Sequence, residues 1–173
     1  MLSFDNMFNN MDEIVDNIWL GNYDAARNVE DLKSKGIKKV LTVMDDVGPV
    51  YKDGDFVHLK FNVDDFSGQN IIQFFGKCLN FIKGDDKVLV HCIAGASRSA
   101  TIVIAYLMWT KKMKFEEALE FTHSKRSIVY PNCGFKEQLK MFEKLLKEND
   151  YDIDKIKFDE IKWEPSQDIL NDY

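Results

Sequence analysis

One short apolar run constrains the fold of this chain more than any other feature. Residues 87–91 contain Val-Leu-Val, and a continuous apolar run of this kind is typical of a strand buried at the centre of a parallel sheet. Elsewhere along the chain, strand-like runs alternate with amphipathic segments of helical spacing, which indicates βαβ units. We therefore predict an α/β fold with a central, largely parallel twisted sheet and helices on both faces.

The same patterns predict the order of the elements. Strands are predicted at 14–20, 37–43, 56–63 and 87–91, and helices at 24–35, 71–82, 99–112, 114–126 and 134–147. Asp24 is the predicted N-cap of the first helix, and Gly76 is an unfavourable residue inside the second. A length of 173 residues suits a single domain, which we place at 14–149, between an N-terminal extension at 1–13 and an acidic C-terminal tail at 150–173.

Negative charge is concentrated in the tail. The formal net charge is -6, and residues 150–173 carry eight acidic residues and three lysines, so the rest of the chain is nearly neutral. Without a basic stripe, a nucleic acid bound through its phosphates is not expected as a partner. We expect the tail to pack on the domain or on a partner chain, because residues such as Ile153, Ile156, Phe158, Ile161 and Trp163 are too apolar for a purely solvated segment.

Three features of the sequence bear on the cellular location of the protein. No apolar stretch approaches the roughly 20 residues that cross a bilayer, so no membrane span is expected. The first 32 residues contain one basic residue, which disfavours a secretory or mitochondrial leader. Three cysteines without paired spacing, Cys78, Cys92 and Cys133, fit a reducing compartment better than a disulfide scaffold. We expect a cytoplasmic protein, or a nuclear one.

The residues after the predicted central strand are suited to binding an oxyanion. Cys92 follows this strand, at the carboxyl edge where open parallel sheets bind ligands. Mostly small residues then allow a tight loop whose N–H groups, with the N-terminus of the next helix, bind a tetrahedral anion: Ile93, Ala94, Gly95, Ala96 and Ser97. Arg98 adds a planar fork that matches two phosphate oxygens.

The same positive field predicts a nucleophilic role for Cys92. The thiolate is the reactive form of cysteine, and nearby cations and helix N-termini favour it. Ser99 is placed to donate a hydrogen bond to the sulfur, which is most useful when the sulfur later departs as a thiolate. His91 is expected to hold the shape of the loop, because an ionised cysteine needs no base. Taken alone, a buried cysteine is more often an inert packing residue.

These residues resemble the HCxxGxxRS signature of cysteine-dependent protein tyrosine phosphatases, and the longer HCxAGxSRSA is similar to their dual-specificity branch. Three further blocks agree in order: IWLGNYDAA at 18–26, GIKKVLTV at 36–43 and YPNCGFKEQLKMFE at 130–143. Asp65, ahead of NIIQFF at 70–75, also agrees in its spacing. The resemblance covers about 14–146 and indicates a small, atypical dual-specificity phosphatase.

The resemblance implies a two-step reaction without a cofactor or a metal. Cys92 attacks phosphorus to form a phosphocysteine, and water then releases inorganic phosphate. An aspartic acid on a separate loop protonates the leaving oxygen, and Asp65 matches this position by spacing while Asp64 remains an alternative. The block at 130–143 implies that Asn132 supports the phosphate-binding loop.

The resemblance also implies a phosphoprotein substrate. The chain has no room for the additions that deepen the pocket of tyrosine-specific relatives, so dual specificity is expected. A phosphoinositide or other non-protein phosphatase is one alternative, although the loop lacks the basic residues that extra phosphates require. A non-catalytic phosphoresidue-binding module is another. The oligomeric state stays open, as does redox pairing of Cys92 with Cys78 or Cys133.

Overall fold

A computed structural model describes residues 9–45 and 47–170 of the chain. Within these residues, five strands form one sheet in the order β1-β2-β5-β3-β4. They are β1 (Met11–Val15), β2 (Ile18–Gly21), β3 (Ile37–Val43), β4 (Val57–Phe61) and β5 (Lys87–His91). β1 is antiparallel to β2, and the other neighbouring strands are parallel. The predicted α/β fold with a largely parallel sheet is confirmed.

The helices cover both faces of the sheet, as predicted. They are α1 (Tyr23–Arg27), α2 (Val29–Ser34), α3 (Phe75–Ile82), α4 (Arg98–Thr110), α5 (Phe115–Lys125), α6 (Cys133–Glu148) and α7 (Gln167–Leu170). Because side chains of a strand alternate between faces, Leu89 of β5 packs in the smaller core with α1 and α2, whereas Val88 and Val90 belong to the larger core with α3 to α6. In the described part of the chain, no helix has the length and hydropathy of a membrane-spanning segment.

The single bent strand predicted at 14–20 is two strands. Asn17 has a φ of 70°, and it closes a tight turn after which β2 runs antiparallel to β1. The sheet begins at Met11, which lies within the predicted extension at 1–13. Residues 1–8 of that extension and residues 171–173 of the predicted tail lie outside the described residues.

The helix predicted at 24–35 is also two elements. The N-cap of α1 is Asn22 instead of the predicted Asp24, since its side chain accepts a hydrogen bond from the Ala25 N–H at 2.9 Å. Asn28 ends α1 and caps α2, where its side chain accepts from the Asp31 N–H at 3.1 Å. One local side-chain bond thus divides a segment whose apolar spacing indicates a single helix.

The last 21 described residues, 150–170, are called the C-terminal segment here, and they pack on the domain as expected. Ile153, Ile156 and Phe158 are buried in the larger core. A Cβ on Gly76 of α3 would lie 2.6 Å from Cδ2 of Phe158, so glycine is needed there for close approach of this segment. Gly76, which is unfavourable inside a helix, therefore allows the C-terminal segment to pack on α3.

Candidate active site

The phosphate-binding loop, residues 92–97, joins the end of β5 to the start of α4. Gly95 has a φ of 66°, and a Cβ there would lie 2.4 Å from the carbonyl oxygen of Gly21 at the end of β2. Any side chain at this position would meet both backbone strain and a steric clash. The loop therefore folds tightly against the carboxyl edge of the sheet, where its N–H groups meet the N-terminus of α4.

The sulfur of Cys92 lies at the base of this loop. The residue is only 2% exposed, and its Sγ accepts hydrogen bonds from the Ser99 hydroxyl at 3.1 Å and from the Gly95 N–H at 3.3 Å. Both donors stabilise negative charge on sulfur. The structure thus brings Cys92 and Ser99 together in the way that the sequence predicts for a thiolate nucleophile and for its later departure.

Arg98 is the first residue of α4 and is buried. Its Nη1 donates to the carboxylate of Asp45 at 2.5 Å and to the carbonyl oxygen of Val63 at 3.1 Å. Its Nε is also buried and has no hydrogen-bond partner among the described residues. A buried donor without a partner is costly unless a ligand satisfies it. One edge of the guanidinium is therefore fixed by the protein, and Nε remains available for a phosphate oxygen.

Asp45 is a residue of the site that the sequence analysis missed. The hydrogen bond from Arg98 lowers the pKa of its carboxyl below the usual 3.8, with its own backbone as a smaller cause. It lies two residues beyond the end of β3, which neighbours β5 in the sheet. The carboxyl ends of neighbouring parallel strands share one edge, and this placement is the signal that would have identified it.

Asp65 reaches the phosphate-binding loop from a separate loop. Its Oδ1 accepts hydrogen bonds from the Ser97 hydroxyl at 2.8 Å and from Nδ2 of Asn132 at 3.0 Å. The Ser97 hydroxyl also accepts from the backbone N–H of Asn132 at 3.1 Å. Asp64, the alternative acid, instead donates its backbone N–H to the side chain of Gln69 at 3.2 Å. The structure places Asp65, and not Asp64, in contact with the loop.

A second arginine supports the phosphate-binding loop from the outside, and the sequence analysis missed it as well. Arg126 is 3% exposed and donates to the carbonyl oxygens of Gly95 at 2.9 Å and Ala94 at 3.2 Å. Its other nitrogen, Nη1, bonds the carboxylate of Asp12 in β1 at 2.7 Å. Because Arg126 satisfies two carbonyls, the loop can turn its N–H groups toward an oxyanion.

His91 lies beneath the loop, at the end of β5. Burial lowers its pKa to about 4, so the ring is neutral near pH 7. Nδ1 lies 3.2 Å from the Cys92 carbonyl oxygen and must carry the proton to bond it, so Nε2 accepts from the Thr42 hydroxyl at 2.7 Å. His58 Nε2 lies 2.8 Å from the same hydroxyl. With these bonds the His91 ring can hold the backbone at Cys92 in place.

Neither of the other two cysteines forms a disulfide. Cys78 is buried among the apolar residues of α3, and this burial raises the pKa of its thiol. Cys133 is partly exposed at the first turn of α6.

A thiol at the end of a central strand, before an anion-binding loop and a helix that begins with arginine, defines a cysteine-dependent phosphatase. The family model of the dual specificity phosphatase catalytic domain matches residues 18–145, and the chain belongs to this family. The resemblance stated from the motifs is therefore confirmed.

Relatives in three organisms show the extent of the similarity. The chain is 45% identical to MAP kinase phosphatase with leucine-rich repeats protein 1 of Dictyostelium discoideum, over 77% of this chain and 16% of that protein. It is 41% identical to dual specificity protein phosphatase 1B of Arabidopsis thaliana, over 80% of this chain and 85% of that protein. The crystal structure of a human tyrosine phosphatase-like serine/threonine/tyrosine-interacting protein is 34% identical with a TM-score of 0.76, covering 79% of this chain and 97% of that one.

Proposed function

We propose that this protein hydrolyses phosphotyrosine and phosphoserine or phosphothreonine monoesters of phosphoproteins through a phosphocysteine intermediate. The observation that carries the proposal is the hydrogen bonding of the Cys92 sulfur by Ser99 and Gly95 at the base of an anion-binding loop. A sulfur held in this way is a nucleophile when it attacks and a stabilised leaving group when it departs.

In the first step, the Cys92 thiolate attacks phosphorus and the phosphorus–oxygen bond to the substrate breaks. Charge on the three equatorial oxygens is stabilised by the N–H groups of the loop and by Nε of Arg98. Asp65 donates its proton to the leaving oxygen, which departs as a neutral phenol or alcohol. The products are the phosphocysteine and the Asp65 carboxylate.

In the second step, the Asp65 carboxylate accepts a proton from a water molecule that attacks the phosphocysteine. The sulfur–phosphorus bond breaks, inorganic phosphate forms, and the thiolate of Cys92 is restored. The Ser99 hydroxyl and the Gly95 N–H stabilise the negative charge that returns to sulfur. Asp65 is thus acid in one step and base in the other.

The surroundings of the loop favour a protein side chain over an inositol phosphate. Three exposed apolar residues each neighbour a residue of the site: Phe66 follows Asp65, Ile93 follows Cys92, and the Tyr130 N–H donates to Ala96 at 2.8 Å. Apolar surface of this kind suits an aromatic ring or an extended peptide, whereas additional phosphates need cations. This supports phosphoproteins as the substrate class.

Hydrolysis rates on three substrate types test the proposal. Phosphotyrosine and phosphothreonine peptides should both be hydrolysed with a higher kcat/KM than inositol phosphates, and Cys92→Ser should abolish turnover of all three. Acid quench with labelled peptide should trap phosphate on Cys92. Preferred hydrolysis of inositol phosphates would contradict the assigned substrate class. Binding of phosphopeptide without turnover by the wild-type protein would indicate the non-catalytic alternative. We also propose a cytoplasmic or nuclear location, supported by three cysteines that form no disulfide.

A further inference from the structure

The C-terminal segment bonds directly to the loop that carries Asp65. We call residues 64–70 the acid loop. The indole N–H of Trp163 donates to the carbonyl oxygen of Ser67 at 2.8 Å, and Nδ2 of Asn70 donates to the carbonyl oxygen of Ile161 at 2.8 Å. Two contacts, three residues apart on the loop, therefore connect it to a part of the chain nearly 100 residues away. In each contact the partner from the C-terminal segment lies beyond residues 18–145, the range that the family model matches.

The part of the segment that precedes Trp163 is firmly attached to the domain. Phe158 is 7% exposed, its ring lies 6.0 Å from that of Phe142 in α6, and it fills the space left by Gly76. Nearer its start, the indole N–H of Trp109 donates to the carbonyl oxygen of Tyr151 at 3.0 Å. Buried aromatic side chains fix the position of the backbone that bears them. The segment is thus a fixed support for the acid loop.

The acid loop is held from the other side by the start of α6. A Cβ on Gly134 would lie 2.0 Å from the Ser67 carbonyl oxygen, so Ser67 packs directly against the first turn of that helix. Ser67 is only 2% exposed, whereas its neighbour Phe66 is 45% exposed. The backbone at Ser67 is therefore enclosed by α6 and Trp163, two residues from the carboxylate of Asp65.

We infer that Trp163 is a positioning residue, and that the C-terminal segment holds the acid loop in the conformation that places Asp65 beside the phosphate-binding loop. This inference rests on the proposed function, because it assigns Asp65 as the acid. Without the contact, the loop has more conformations and Asp65 is less often in place when the leaving oxygen departs. The chemistry at Cys92 itself is unaffected.

The leaving group distinguishes this role from a general loss of structure. Formation of the phosphocysteine determines kcat/KM, and this step needs an acid only when the leaving oxygen is basic. Phenyl phosphate releases a basic oxygen, whereas a fluorinated umbelliferyl phosphate releases one that departs without a proton. A change confined to Asp65 placement lowers kcat/KM for the first substrate and spares the second.

Trp163→Phe removes the indole N–H and retains an aromatic ring. We expect kcat/KM for phenyl phosphate to fall by roughly 2- to 12-fold, the equivalent of one hydrogen bond, and kcat/KM for the fluorinated substrate to change by less than about twofold. Trp109→Phe is the matched control, since it removes the same kind of bond to the same segment away from the acid loop. It should leave both values within about twofold of the wild type.

Each other outcome has a defined meaning. Equal losses on both substrates, no loss on either, or the same selective loss in Trp109→Phe would overturn the role assigned to Trp163. If Trp163→Phe does not fold by circular dichroism, Asn70→Ser removes the second contact and provides the same comparison. Absence of turnover on both substrates in the wild-type protein would contradict the proposed function instead.

Discussion

The carboxylate of Asp45 fixes the guanidinium of Arg98 by a hydrogen bond to Nη1 at 2.5 Å, while Nε of Arg98 stays without a partner among the described residues. The two nitrogens thus have different roles. One holds the side chain against the protein, and the other is left for the substrate. A lysine at this position has a single nitrogen and cannot fill both roles.

The ion pair between Asp45 and Arg98 should make a pH-dependent contribution to the stability of the folded protein. The folded-state pKa of Asp45 is lower than its unfolded value of 3.8, so the pair contributes stability above that value and loses it as pH falls through the folded pKa. Asp45→Asn keeps an acceptor for Arg98 and removes the charge. Because the carboxylate is 48% exposed, the pair contributes at most about 1 kcal/mol, and Tm should fall by at most about 4 °C at neutral pH.

Thermal unfolding of wild type and Asp45→Asn over a pH series checks this prediction. The difference in Tm should be constant from about pH 6 to pH 8 and should disappear in acid below the usual carboxyl range. A difference that grows as pH falls would show that the carboxylate destabilises the folded protein.

Ser99→Ala should slow the second step more than the first. The Ser99 hydroxyl is buried and donates to Cys92 Sγ at 3.1 Å, so its removal raises the free energy of the departing thiolate. Loss of a hydrogen bond to a charged group corresponds to roughly a 10- to 150-fold slower hydrolysis of the phosphocysteine. Stopped-flow assays with a chromogenic aryl phosphate should show a burst near one equivalent of phenol.

Thr101→Val is the matched control for this variant. The Thr101 hydroxyl is also buried in α4, but it donates to the Ser97 carbonyl oxygen at 2.8 Å and not to the sulfur. It should show no increase in burst amplitude over the wild type. A burst of equal size in both variants would mean that packing in α4, and not the bond to sulfur, limits the second step.

Gly76→Ala should destabilise the protein, although alanine is the better helix former. The added Cβ would lie 2.6 Å from the buried ring of Phe158, so the C-terminal segment must shift. Overpacking of this kind costs about 1 to 3 kcal/mol, measured as the free energy of unfolding in urea. Combining it with Phe158→Leu should recover part of the loss. A more stable single variant would show that the segment does not pack on α3 in solution.

The fold was predictable where local patterns and tertiary structure agree. The buried run of β5 and the alternation of strands with helices indicate a parallel sheet, and that sheet is present. Two predicted elements were wrong because each is divided in two. A positive φ at Asn17 divides the predicted strand, and the side-chain cap of Asn28 divides the predicted helix. Such interruptions depend on local backbone geometry, which hydrophobic periodicity does not report.

The predictable part of the site is the part that is contiguous in sequence. Residues 91–99 carry the nucleophile, the arginine and the loop in one run. Asp45 and Arg126 come from distant positions, and their roles depend on strand order and on the packing of the α5 C-terminus against the loop. Nothing in the spacing of Arg126 indicates that it binds two carbonyls. Long-range contacts of this kind require the folded chain.

The last prediction distinguishes Asp65 from Asp64 as the general acid. Asp65 contacts Ser97 and Asn132, whereas the backbone of Asp64 bonds Gln69 within its own loop. In Asp65→Asn the amide oxygen can still accept a hydrogen bond from Ser97, so the loop should keep its position while the transferable proton is lost. Turnover of a phosphotyrosine peptide should fall by roughly 10² to 10⁴, the usual contribution of a positioned acid.

The second substrate makes this comparison specific. With an aryl phosphate whose phenol is acidic enough to depart unaided, kcat/KM of Asp65→Asn should fall far less than with the peptide, because no proton is needed when the phosphocysteine forms. Asp64→Asn changes the same chemical group one residue away, and it should cost far less on either substrate. If the two variants exchange these behaviours, Asp64 is the acid, and the contact of Asp65 with Ser97 serves only to hold the loop.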